Sequence, residues 1–350
     1  MKELTCAFFH YLRCGLWGTD GEVATAPAGR QAWDELFGMA YAHAVTGLFV
    51  DGVSRTSARP EEDVWGRWIA HLLRMENANG YIAARGEWWL DRLAAAGIRA
   101  VIFKGSSVAA WYPVPRHRSH GDVDIVVTGG WEKLMPVIRS MGFMPAMSRP
   151  NEVALHDEGG LLVEFHRRWE RLYNPVTNAR LQRMCRNADG RDRELYLACL
   201  ILHLQRHFLT YGAGLKQVCD VAVMLHAADL DMGKAARILR VLHAERFSRL
   251  LFGFIASYLG GTDVYPLPPV CGGKQFALME SAVFQDGYRL KSEREAGAGR
   301  KRSAIFRVVA NAGFWLKRSL QMGCIMPGEA FCFLLGKVWQ RVSLPFNHDA

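Results

Sequence analysis

The sequence is short of charge. Only 22% of its 350 residues are charged, while half are hydrophobic, so it does not belong with disordered or fibrous chains and can bury a sizeable core. It also lacks a long apolar run. The longest stretch free of Asp, Glu, Lys, Arg and His, Leu250 to Thr262, is shorter than the ~20 residues a spanning helix needs. The opening MKELTCAFFHYLRCGLWG has charge within its apolar part and does not read as a secretory signal. None of the eight cysteines stands in a CxxC pair. Reduced thiols in a cytoplasmic protein are the expectation. There is no GxxxxGK[ST], no GxGxxG after a strand, and no HRD or DFG, which argues against P-loop ATPases, dinucleotide-binding proteins and protein kinases. Acids are the minority sign, 34 against 43 Lys+Arg, for a net charge of +9. Residues 300–350 carry eight Lys/Arg and two acids, so most of that excess belongs to the tail.

Length predicts two or three structural units. Apolar periodicity predicts helices over 31–48 and 62–96, the second stopped by Gly97. IRAVIF (98–103) reads as a strand buried on both faces, followed by Lys104-Gly105-Ser106-Ser107 and a helix-like VAAWY. DVDIVV (122–127) is a second strand and 131–141 an amphipathic helix. Residues 152–156 and 161–166 read as a hairpin turning at Glu158-Gly159-Gly160. Helices are expected over 192–210, 215–229, 232–258 and 276–290, and a polar linker over 292–303. The fold class is therefore α+β, a small mixed β-sheet flanked by helical segments. The expected division is 1–96 helical, 97–170 α/β core, 171–291 helical, and 292–350 linker and basic amphipathic tail.

Asp122 and Asp124 are two apart on a strand, so their side chains leave one face. Unpaired, two buried carboxylates would cost several kcal/mol. A divalent cation removes that cost, and oxygen ligands favour Mg²⁺ or Mn²⁺. The plain alternative is an exposed strand end paired with Arg116 or Arg118. Gly105-Ser106 closes one strand and opens a helix, where free backbone N–H groups can cradle phosphate. Glu164 adds a third carboxylate on another strand, with His166 on the same face. Two acids, a third acid on a further strand and a phosphate cradle are what metal-assisted nucleotidyl transfer requires, and the third carboxylate would serve as general base.

The run KGSSVAAWYPVPRHRSHGDVDIVV resembles the uncharacterised nucleotidyltransferase family within the DNA polymerase β-like superfamily. That superfamily carries Gly-Ser or Gly-Gly after the first strand and acid–x–acid on the second. Members of this branch place a Lys before the Gly, as Lys104 does here, then a Tyr (Tyr112) and an Arg four residues before the first acid (Arg118). A later acid–x–His element matches Glu164-Phe165-His166, where the usual acid is Asp. Ala42-His43-Ala44-Val45, His203, His207 and GLKQVCDVAVML resemble flanking helices in which a basic residue (Lys216) precedes an acid (Asp220). The resemblance implies a Mg²⁺- or Mn²⁺-dependent transferase moving an NMP from an NTP, ATP being the expected donor, to an acceptor it does not name.

The remaining residues carry competing readings. His203 and His207 have zinc-like i, i+4 spacing but no third ligand, and a helix packed on the core is the better reading. Lys216 either touches nucleotide or pairs with Asp220 one turn on. Lys104 either binds phosphate or makes a structural ion pair. Arg118 either binds triphosphate or braces Asp122 and Asp124. Basic and aromatic residues interleave over 300–341, as in segments that lie on anionic membranes or grip nucleic acid. The plainer reading is a helix pair packed on the body with its basic face in solvent. The second class of function is a catalytically degenerate module that binds nucleotide or polyanion through that tail.

Overall fold

A computed structural model describes residues 2–21, 27–210, 212–227, 229–286 and 304–343. Its centre is one five-stranded sheet. β1 (Arg99–Ile102), β2 (Val123–Gly129), β3 (Met147–Arg149), β4 (Glu152–His156) and β5 (Leu162–His166) lie in the order β1-β2-β5-β4-β3. Only β2 and β5 run parallel, and the other neighbours are antiparallel. The expected α+β class with a small mixed sheet is what is seen.

Alternation decides the faces. Val123, Ile125, Val127, Val153, Leu155, Val163 and Phe165 fill one buried cluster with Trp89, Leu93, Leu134 and Ile138. Each such large apolar side chain contributes ~1.5–3 kcal/mol by leaving water. The intervening residues, Asp124, Glu164 and His166, leave from the opposite face. The hairpin β4–β5 turns where expected, with Asp157 accepting hydrogen bonds from the N–H groups of Gly159 (3.0 Å) and Leu161 (2.8 Å).

The helices are α1 (Lys2–Trp17), α2 (Gly29–Ala42), α3 (Thr46–Ser54), α4 (Glu62–Ala95), α5 (Gly105–Ala109), α6 (Trp131–Ser140), α7 (Pro175–Met184), α8 (Arg193–Thr210), α9 (Leu215–Ala227), α10 (Met232–Val241), α11 (Glu245–Phe254), α12 (Gly273–Ser281), α13 (Ala304–Gly323) and α14 (Pro327–Ser343). Helix α4 is a beam of 34 residues, with Glu62 and Asp63 in its first turn and Arg92 in its last, matching the helix dipole. Its first half buries Val64, Trp68 and Leu72 in the helical body, and its second half buries Trp89 and Leu93 under the sheet.

Several expectations need correction. The helix expected over 31–48 is two, and so is that over 232–258. Both break at a Schellman turn whose left-handed residue is not glycine: Ala44 (φ 55°) and His243 (φ 51°). Val45 N–H bonds Ala40 O at 2.9 Å, and Ala244 N–H bonds Leu239 O at 2.9 Å. The usual glycine signal for such a stop is missing from the sequence. IRAVIF is not buried on both faces; β1 is an edge strand, half-buried for most of its length. Helix α1 lies in the segment expected to be helical, without having been placed there, and the three-residue edge strand β3 has no counterpart among the expected elements. The linker at 292–303 and the end of the 276–290 helix lie outside the described residues.

Helices α13 and α14 form a pair on α8. Trp315, Met322 and Phe333 join the main core. Arg318, counted in the sequence among the tail's basic residues, is buried and its Nε donates to Phe208 O, so it is not part of a solvent-facing basic surface.

Candidate active site

The parallel pairing of β2 and β5 sets Asp124 opposite Glu164 and Val126 opposite His166. Ligand atoms of Asp124, Glu164 and His166 all lie within 4.8 Å of one another, the one metal-capable group among the described residues. Asp124 Oδ1 accepts from Lys104 Nζ at 3.2 Å and pairs with His166 Nε2 at 2.9 Å. Glu164 Oε2 stands 3.3 Å from the same imidazole nitrogen. Burial opposes ionisation of Asp124, but Lys104 and His166 hold its carboxyl well below the usual range. Burial opposes protonation of His166 in turn, and Asp124 with Glu164 outweighs it, raising the imidazole to about 9.

Asp122 lies just before β2, half-buried and lining the same cleft. It stands outside the 4.8 Å group. Burial and the Asp124 charge both push its carboxyl up.

Lys104 carries the backbone oddity of the site. Its φ of 65° and ψ of −150° belong to a region that is essentially glycine's and costs ~1–3 kcal/mol elsewhere. The turn is held from all sides: Lys104 N–H donates to Tyr196 Oη (2.9 Å), and Lys104 O accepts from Ser107 N–H (3.0 Å) and Ser107 Oγ (2.8 Å). Gly105 (φ 48°) follows and lines the cleft. Ser106 is half-buried in the first turn of α5.

Arg118 does not brace the strand acids. Its Nε and Nη2 donate to the two oxygens of Asp220 at 2.7 Å each, and Tyr112 Oη donates to Asp220 Oδ1 at 2.7 Å. This buried knot ties the loop before β2 to α9. Asp220 is therefore not the partner of Lys216, which forms no ion pair among the described residues. Burial and Arg118 lower the Lys216 ammonium pKa.

The cleft of about 680 Å³ that holds these groups is lined by Lys104, Gly105, Asp122, Asp124, Glu164, His166 and Lys216, among others. Arg118 also lines it. Its far wall is α8, which supplies His203, Arg206 and His207. His203 Nδ1 pairs with Glu170 Oε2 at 2.8 Å and its Nε2 with His207 at 2.9 Å. Arg206 also lies 2.8 Å from Glu170. The two histidines are thus packed and partnered, as expected, and burial holds His203 down to about 4. Sequence reasoning missed Glu170 and Arg206. Glu170 follows the buried Trp169 and Arg206 sits between the two histidines, and only folding joins them.

An acid–x–acid run leading into a strand, a parallel neighbour bearing a third acid, and a lysine–glycine turn define a nucleotidyltransferase-type core. The chain belongs to the family described as uncharacterised nucleotidyltransferase, whose model matches residues 29–260. Comparison with curated proteins and with solved structures gives no match.

Proposed function

We propose that the protein transfers an NMP from an NTP, with ATP the expected donor, to an acceptor hydroxyl with release of pyrophosphate. The observation that carries this reading is the Asp124–Glu164–His166 group that lines the cleft. The donor set fits a divalent ion, since two carboxylates converge and, among the described residues, Lys104 and His166 are the cations paired with them. Asp124 and Glu164, with Asp122 beside them, would hold Mg²⁺ or Mn²⁺, which supplies neutralisation of phosphate charge and activation of the acceptor hydroxyl.

The chain's own groups have separate tasks. Gly105 and Ser106 offer backbone N–H groups to the β/γ phosphates, with Lys104 and Lys216 as cations on either side. Lys216 suits this because its ammonium makes no ion pair among the described residues. Arg118 acts through Asp220, holding the loop that delivers Asp122. The acceptor oxygen attacks the α-phosphorus in line, the bond to pyrophosphate breaks, and Glu164 takes the hydroxyl proton.

Asp124→Asn should abolish transfer and Mg²⁺-dependent NTP binding while the circular dichroism spectrum and melting cooperativity stay native. An active Asp124→Asn variant overturns the mechanism. Binding of NTP that ignores both Mg²⁺ and the substitution would favour the degenerate binding module.

We also propose that the α13–α14 pair rests on an anionic membrane surface. The support is an apolar stripe at helical spacing, Phe331, Leu335, Val338 and Trp339, joined by Leu316 and Leu320, all exposed. Lys317, exposed, and Lys337, half-buried, stand in the same two helices.

A further inference from the structure

A second cleft of about 490 Å³ adjoins the first, and the two share Lys104, Arg149, Glu152, His166 and Arg206. The new part is made by Arg168, Trp169 and Arg171 just after β5, with Pro150 and Asn151 after β3. Its lining is cationic. Arg168 and Arg171 are exposed and make no side-chain ion pair or hydrogen bond among the described residues. Arg149 has only Glu152, at 3.4 Å and with Arg149 mostly in solvent. The other acid, Glu170, is already held by His203 and Arg206. Unpaired arginines around a concavity suit a phosphate, whose oxygens match the planar guanidinium fork.

Of the groups that would receive the nucleotide's phosphates, Gly105 and Lys216 line only the first cleft, while Lys104 lines both. Arg168 and Arg171 line only the second cleft, and His166 lines both and lies 3.3 Å from Glu164. A molecule anchored there can extend past His166 and present a hydroxyl to Glu164. The volume is that of a small-molecule pocket, not a polymer groove, and Trp169 with Pro150 gives it an apolar wall.

We infer that the acceptor is a small phosphorylated hydroxyl compound, its phosphate docked on Arg168, Arg171 and Arg149 in the cleft beside His166. This rests on the transferase reading above. The docked phosphate takes no part in bond changes: the acceptor's hydroxyl oxygen bonds to the α-phosphorus, pyrophosphate departs, and the proton passes to Glu164.

The test is calorimetric titration of the full chain with ribose 5-phosphate, ribose and a single-stranded oligonucleotide, with Mg²⁺–NTP titrated in parallel. Ribose 5-phosphate should bind and ribose should not. Arg168→Ala/Arg171→Ala should weaken ribose 5-phosphate binding at least tenfold and leave Mg²⁺–NTP binding within twofold. Intact NTP binding with no phosphate-dependent binding of ribose 5-phosphate overturns this inference alone. So does an equal loss of NTP binding in the double variant, which would give the arginines to the triphosphate. Tight oligonucleotide binding without ribose 5-phosphate binding replaces the small acceptor with a polymer. A wild type that binds no NTP overturns the transferase reading, and the acceptor role with it.

Discussion

Lys104 joins the backbone and the chemistry of the site in one residue. Its glycine-like backbone aims the side chain at Asp124, and a glycine could take the same turn without strain but without an ammonium. The backbone and charge contributions can be separated. Lys104→Ala and Lys104→Gly both remove the cation, so their difference isolates the turn. Lys104→Gly should be more stable than Lys104→Ala by about 1–3 kcal/mol in denaturant melts, the reverse of the usual ordering in regular structure. Equal midpoints would show that the backbone at this position is unstrained.

The element that brings Asp122 and Asp124 into place is the loop between α5 and β2, and it is fastened to the helices from beneath. Asn79 on α4 donates to Arg116 O (2.7 Å) and Arg118 O (2.9 Å) and accepts from His120 N–H (3.2 Å). His117 is clamped between Asp51 on α3 and Glu76 on α4, both at 2.7 Å. With carboxylates on both ring nitrogens it is an imidazolium. Burial opposes that charge, but Asp51 and Glu76 outweigh it and raise the pKa. The stabilisation from this clamp is full below the ordinary histidine pKa of ~6.5 and is lost as pH climbs through the raised folded value. Thermal melts from pH 6 upward should therefore fall less steeply for His117→Gln than for wild type; identical slopes would exclude the clamp. Helix α3 reaches this position by crossing α1 at two glycines. A Cβ at Gly52 would sit 1.7 Å from Tyr11 O and one at Gly15 would sit 1.8 Å from Leu48 O. Gly52→Ala should cost about 3 kcal/mol or more by forcing the helices apart, whereas exposed Gly38→Ala, with nothing within 4 Å, should gain ~0.5–1 kcal/mol.

At the scale of the whole molecule, the tail helices are part of the body and also carry an exposed apolar face. Trp315, Phe333 and buried Arg318 fix α13 and α14 to α8, while Leu320 and Trp339 are each 72% exposed. Among the described residues no helix is long and apolar enough to cross a membrane, so contact with a bilayer would be through this face. Full-length protein should pellet with vesicles containing phosphatidylserine, less so at high salt. Leu335→Ser/Trp339→Ser should lower the pelleted fraction severalfold without shifting the melting temperature. Pelleting that ignores salt and substitution would remove the tail from any membrane role.

The sequence by itself determined the alternation that puts Asp124 and Glu164 on the polar face of buried strands, and the lysine–glycine turn beside them. Period-2 patterning and a short motif are local, and they survive without knowledge of neighbours. Helix stops were legible at Gly97 but not at Ala44 or His243, because those Schellman turns dispense with the glycine that marks them. Tertiary structure alone decided the rest. The parallel pairing of β2 with β5 made Asp124 and Glu164 opposites, and packing of α9 gave Arg118 to Asp220 in place of the strand acids. The approach of α8 assembled Glu170, His203 and Arg206, and the chain after β5 set Arg168 and Arg171, without an ion pair among the described residues, in the lining of the second cleft. Those choices depend on which buried charge finds which partner across 33 to 102 residues of chain, and the cost of an unpaired charge is settled only when the elements meet.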